Sequence, residues 1–119
     1  MSQTYTLTLP YPPSVNNMWA TVRGRRVLSK KGRLYRKDVA LFCVASGLPR
    51  PLPTPIAVHV ALYAPDNRHR DLDNIFKAVG DALQASGLLV NDADIDELHI
   101  VRKEIDRPAG HLVVTIIAG

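Results

Sequence analysis

A chain of 119 residues, 46% hydrophobic and 22% charged, is enough for one domain with a core of its own and leaves no room for a second. Fifteen Lys and Arg against eleven Asp and Glu give a net charge of +4, which favours an anionic partner, nucleic acid or a membrane surface. A single cysteine excludes an intramolecular disulfide, and with no signal-peptide pattern and no apolar run of membrane-span length an intracellular, cytoplasmic protein is expected.

Tyr5, Leu7 and Leu9 alternate with threonines, the period-two pattern of a half-buried strand. Pro10-Tyr11-Pro12-Pro13-Ser14 ends it, and Val15 to Trp19, with two asparagines, reads as an ordered loop. Ala20 to Leu28 reads as a short hairpin turning on Arg23-Gly24-Arg25. Ser29 suits the N-cap of a helix running to about Ser46, with Leu34, Val39, Leu41, Phe42 and Ala45 apolar and Gly47 as its stop. Cys43 lies inside the apolar run Val39 to Val44 and reads as a small buried hydrophobe rather than a nucleophile. Leu48 to Pro55 holds four prolines and forms a stiff connector.

Ile56 to Tyr63 alternates Ile, Val, Val and Leu against Ala and His and is expected as a strand, followed by a polar loop, Pro65 to Arg70. A second helix is expected from Leu72 to Ser86, with Leu72, Ile75, Phe76, Val79, Ala82 and Leu83 on one stripe and Gly87 as its stop. Leu88-Leu89-Val90-Asn91-Asp92 leads into an acidic turn. Leu98 to Ile105 and His111 to Ile117 then read as two strands, most simply a hairpin across Asp106 to Gly110. The expected fold is α/β (α+β), a small single domain over residues 1–119 with a mixed β-sheet and two main helices.

The chemistry concentrates in Arg70-Asp71-Leu72-Asp73-Asn74, Lys77 and Asp92. Phosphodiester hydrolysis at neutral pH needs a nucleophilic water, neutralised phosphate charge and help for the leaving oxygen. One or two Mg²⁺ ions in hard oxygen ligands can supply all three. Asp71 and Asp73 fall at a loop-to-helix junction, where two carboxylates can converge, whereas an i, i+2 pair in mid-helix diverges by about 200°. Asp92 must come from the turn after the helix, and Lys77 lies one turn beyond Asp73 on the same face, placed to meet a phosphate. The plainer reading is that Asp71 or Asp73 caps the helix, that Asp73 and Lys77 form a surface pair, and that Asp92, Asp94 and Asp96 are turn acids.

Other motifs fail. A calcium loop starting at Asp92 would put Glu97 where Gly is needed and Lys103 where Glu is needed, and His59, His69, His99 and His111 lack zinc spacing. No phosphate-binding glycine loop and no G-x-S-x-G is present. His69, between two arginines, reads as a phosphate contact or solvated loop residue. Trp19 and Tyr35 could stack on unpaired bases, with core packing the simpler role for each.

The block Arg70-Asp71-Leu72-Asp73-Asn74, with Lys77, Asp81-Ala82-Leu83, Gly87 and Asn91-Asp92, resembles the RusA family of Holliday-junction resolvases. Leu9-Pro10-Tyr11-Pro12-Pro13-Ser14-Val15-Asn16-Asn17 is similar to that family's opening strand and loop, so the resemblance spans nearly the whole chain. It implies a small homodimeric Mg²⁺-dependent endonuclease, Mn²⁺ being a possible substitute, often encoded by phages or prophages. Three metal-binding aspartates would fall on Asp71, Asp73 and Asp92, and a catalytic lysine on Lys77. Members often carry a second acid just before the third aspartate; Asn91 stands there in this chain, from which weaker or altered metal binding is expected.

A four-way junction has two-fold symmetry and needs two symmetric cuts, so a chain with one acidic cluster must act as a pair. Arg23, Arg25, Arg26, Lys30, Lys31 and Arg33, with Arg68 and Arg70 beside the acids, would hold DNA phosphates without reading bases. The expected function is therefore paired symmetric nicking of four-way DNA junctions in recombination and repair, leaving 5′-phosphate and 3′-hydroxyl ends. A Mg²⁺ nuclease for other branched DNA, or a basic DNA-binding or assembly protein without catalysis, remains open on the sequence.

Overall fold

The computed structural model describes residues 2–119, the side chain of Asp92 excepted. Strand β1 (Gln3–Pro10) leads through a one-turn helix α1 (Val15–Met18) into the hairpin β2 (Trp19–Val22) and β3 (Arg25–Leu28). Helix α2 (Lys30–Ala45), strand β4 (Ile56–Tyr63) and helix α3 (Leu72–Ala85) follow, then a 3-10 turn (Asp92–Asp94) and strands β5 (Ile95–Arg102) and β6 (His111–Ala118). The main sheet runs β1-β6-β4-β5, and β2 and β3 pair separately. Leu7 and Leu9, then Leu112, Val114 and Ile116, then Ile56, Val58, Val60 and Leu62 line its inner face and are buried with residues of α2 and α3 in one core.

Local chemistry explains most element boundaries. Ser14 caps α1, its hydroxyl accepting from the Asn17 amide at 3.3 Å, so the expected loop at Val15 to Trp19 is one turn of helix. Arg23 and Gly24 carry positive φ of 52° and 74°, the handedness a two-residue hairpin turn requires. Ser29 caps α2, accepting from the Gly32 amide at 3.0 Å, and Gly47 and Gly87 stop the long helices with φ of 69° and 87°.

The expected order of the last strands is corrected. The last two strands are not a hairpin: β6 inserts between β1 and β4, antiparallel to both, while β5 lies parallel to β4 at the edge. β6 is buried on its inner face and half-exposed on the other, and α3 returns the chain so that β5 enters parallel to β4. The apolar residues of α2 divide between core and surface. Gly32, Tyr35, Val39 and Cys43 are buried, whereas Leu34, Leu41 and Phe42 are exposed. Close approach selects the stripe, because a Cβ on Gly32 would collide with the Met18 carbonyl oxygen and lie 2.9 Å from Leu28 Cδ1.

The strand registers fix the ends of the molecule. Pro10 and Tyr63 both pair with His111, and Leu62 with Arg102, so these residues share one end of the sheet with the start of α3. Ile95 pairs with Ile56 at the opposite end.

Candidate active site

The loop after β1 and the loop before α3 meet at the first of these ends. Between them is a cleft of about 370 Å³ lined by Tyr11, Ser14, Asn16, Arg70, Asp71 and Asn74, among others. Asp71 takes the N-cap position of α3 in extended conformation, yet its carboxylate makes no capping bond to the helix amides. The Asn74 side chain donates to it weakly, at 3.4 Å. Asp73 follows in the first turn and Lys77 one turn later, both exposed. Among the described residues the ion pairs involve Arg36, Arg68, Arg70 and His111, and neither Asp73 nor Lys77 is in one. The plainer roles of cap and surface pair are thus not the ones these side chains play.

Arg70 is committed to the architecture of the loop. It pairs with Asp66 at 2.8 Å, lies over the Tyr11 ring at 5.6 Å, and its carbonyl accepts from Arg102 Nη2 at 2.6 Å. The Arg68 amide first, and then the Arg70 guanidinium, hold the Asp66 carboxyl below its ordinary range. Burial raises the Tyr11 hydroxyl above its ordinary value, against the opposing pull of Arg70 and Arg102. A second cleft of about 400 Å³ adjoins the first at Tyr11 and Arg70 and is rimmed by Arg68, Arg102 and Lys103. Sequence reading missed Tyr11, Arg102 and Lys103 as site residues. The basic pair at a strand end was a signal, but only the β4–β5 register sets Arg102 against Arg70.

The other cations form a second group. Arg23, Arg25 and Arg26 are exposed on the hairpin, Arg26 over the Trp19 ring at 5.1 Å, and Lys30, Lys31 and Arg33 are exposed at the start of α2. A shallow depression lined by Trp19, Gly24 and Arg26 shares Val15 and Asn16 with the Asp71 cleft, so the surface is continuous from hairpin to acids. Tyr35 is a core residue whose hydroxyl donates to the Pro10 carbonyl at 2.9 Å, and Trp19 packs partly against the core. His69 is exposed in the wall of the Asp71 cleft. Cys43 is fully buried, and burial pushes its thiol up, as an inert packing residue requires.

The acidic turn after α3 lies elsewhere. Asn91 Oδ1 accepts from the Ala93 amide at 2.9 Å, Asp94 accepts from the Asn91 amide at 3.2 Å, and Asp96 accepts from the Ile56 amide at 2.8 Å. Asp94 is therefore spent on its own turn and Asp96 on the start of β4. The proposed ligand role of the Asp92 side chain lies outside the described residues; its backbone opens the 3-10 turn at the Ile56 end of the sheet. The 14 residues of α3, rising about 1.5 Å each, separate that end from the helix start by roughly 21 Å. One chain thus brings Asp71, Asp73 and Lys77 together beside Arg70 and holds the Asp92 turn apart from them. Among the described residues no three His, Cys, Asp or Glu side chains converge as a metal site.

Comparison with known proteins gives the same direction. The family model described as endodeoxyribonuclease RusA matches residues 10–117. Crossover junction endodeoxyribonuclease rusA of Enterobacteria phage 82 is 38% identical over 113 residues, covering 95% of this chain and 93% of that protein. The RusA proteins of Escherichia coli strain K12 and Shigella sonnei strain Ss046 are 37% and 36% identical with the same coverage. Among the described residues no helix is long and apolar enough to cross a membrane. With the match running from the end of the first strand through most of the last, this chain belongs to the RusA family of endodeoxyribonucleases, enzymes that hydrolyse phosphodiester bonds in DNA.

Proposed function

We propose that the chain is a single-domain, homodimeric, Mg²⁺-dependent resolvase that cuts four-way DNA junctions by paired symmetric nicks. Its relatives come from a phage and from bacteria, and a junction-cutting enzyme would meet its DNA in the cytoplasm of such a cell. The observation that carries the reading is the pair Asp71 and Asp73. Two exposed carboxylates stand at the positive end of a helix, Asp71 without a capping bond and neither in an ion pair among the described residues, beside a cleft rimmed by Arg68, Arg102 and Lys103. Hard carboxylate oxygens with unused lone pairs suit Mg²⁺.

Asp71, Asp73 and Asp92 would hold the ion, which when bound supplies charge neutralisation at the phosphate and lowers the pKa of water. Lys77, one turn from Asp73 and unpaired among the described residues, would donate to a phosphate oxygen as charge grows there. Arg70 positions the loop through Asp66 and Tyr11 while Arg68, Arg102 and Lys103 grip flanking phosphates. Because α3, about 21 Å long, lies between the Asp92 turn and the helix start that carries the other two, the full ligand set would take Asp71 and Asp73 from one chain and Asp92 from the second. Metal binding is then tied to the dimer.

The decisive experiment is Mg²⁺-dependent cleavage of a labelled synthetic four-way junction, with linear duplex alongside and Asp73→Asn as control. Symmetric nicks on the junction alone, lost in the variant while junction binding persists, are the expected result. A variant that cuts at the normal rate, or a wild type that binds without cutting, overturns it. Mixing inactive Asp73→Asn and Asp92→Asn chains should restore single nicks, since each mixed dimer rebuilds one intact ligand set.

A further inference from the structure

The four histidines lack zinc spacing along the chain, yet the sheet brings two of them together. His59 in β4 and His99 in β5 are register partners on parallel strands. Val58 and Val60 on either side of His59 are buried in the core, so by strand alternation both imidazoles stand on the outer face of the sheet. Both residues are exposed, and their ring centroids lie 4.5 Å apart with the planes tilted by 32°. Among the described residues the histidine ion pair and side-chain hydrogen bond belong to His111, so the ring nitrogens of His59 and His99 are unused there. Their neighbours on the outer face are Ala57 and Ala61 on β4, Thr115 on β6, and Glu97 and Val101 on β5. Glu97 adds a negative charge to this set, and none of the five is a lysine or arginine that would repel a cation.

We propose that His59 and His99 chelate a borderline divalent cation, Zn²⁺ or the similar Ni²⁺ and Cu²⁺, through one nitrogen of each ring, with water completing its shell. Imidazole suits these ions, whereas Mg²⁺ takes hard oxygen ligands. Two nitrogens sharing a tetrahedral ion at about 2.0–2.1 Å sit roughly 3.3 Å apart. Rings with centroids at 4.5 Å reach that spacing by rotation about χ2, which exposure leaves free. Hydrogen-bonded strands hold the two backbones about 4.8 Å apart, so the second ligand is already in place when the first binds. Neither histidine lines the Asp71 cleft, and the site stands whether or not the chain cuts junctions. The ion clips β4 to the edge strand β5, whose last residue, Arg102, donates to the Arg70 carbonyl. It thereby secures the strand that braces the loop leading to Asp71.

The test is calorimetric titration of Zn²⁺ into the full chain and into His59→Gln, His99→Gln, the double variant, His111→Gln and Asp73→Asn. Expected is one ion per chain that His111→Gln and Asp73→Asn retain. Either single Gln variant at position 59 or 99 should weaken it by about tenfold or more, and the double variant no further, because a chelate is lost with either ligand. Zn²⁺ should also raise the thermal midpoint of the wild type and of neither single variant. No bound Zn²⁺, losses that merely add from one histidine to the other, or an equal loss in His111→Gln overturns the chelate and leaves a stacked cross-strand pair. Both side chains are exposed, so the variants should keep the fold, which circular dichroism checks. Should one fail to fold, Cu²⁺ bound to the wild type decides: its electron paramagnetic spectrum should show two ligating nitrogens, and fewer overturns the site.

Discussion

Asp66, Arg70 and Tyr11 form one unit in which a carboxylate, a guanidinium and a phenol ring hold the loop that delivers Asp71. The folded Asp66 carboxyl titrates below its unfolded value of about 4. Its stabilising effect is therefore present above that pH and is lost as pH falls through the folded value. Urea denaturation should show Asp66→Asn less stable than wild type at pH 7 and the gap narrowing as pH falls below about 4. Lys77 is the other residue whose role a single substitution separates: Lys77→Met should lower junction cleavage by about 10²–10³ while changing junction affinity only a few-fold. Equal losses in both would make it a binding residue. Asp71, Asp73 and Lys77 stood out in the sequence because they lie within seven residues of chain. Tyr11 and Arg102 were not, because the bonds that define them join residues tens of positions apart.

At the level of elements, α2 shows how close packing overrides apolar count. Its outward residues Leu34, Leu41, Phe42 and Val44 are more hydrophobic than the buried Gly32 and Tyr35. Gly32 faces inward because only a missing side chain lets α2 approach Met18 and Leu28. Gly32→Ala should thus destabilise the protein by about 1–3 kcal/mol in urea titrations, despite the better helix propensity of Ala. A variant as stable as wild type would show that α2 can shift outward at no cost. Tyr35→Phe, which leaves the Pro10 carbonyl without its donor, should cost about 1–2 kcal/mol by the same measurement.

For the whole molecule, the exposed cations of the hairpin, the start of α2 and the Arg68–Lys103 rim lie on one surface with the acids between them. If roughly six phosphates are neutralised there, junction affinity should fall by about 10³ between 50 and 200 mM salt. Fluorescence titration at several salt concentrations measures the slope, and a flat response would remove these residues from the DNA-binding surface.

The two long helices, the strands, the β2–β3 turn and the Ser29 cap were determined by the sequence alone, since burial periodicity, Ser caps and positive-φ glycines act within a few residues of chain. Of the metal-site candidates only Asp71 and Asp73 are local to one another; Asp92 was joined to them by the family resemblance. Only the tertiary structure decided that β6 enters the middle of the sheet and that β5 becomes its edge. It likewise decided which face of α2 is inside, and that α3 parts Asp92 from Asp71 and Asp73. These are choices among long-range pairings of similar local pattern, settled by how the elements close-pack around one core, and no short window of sequence contains them.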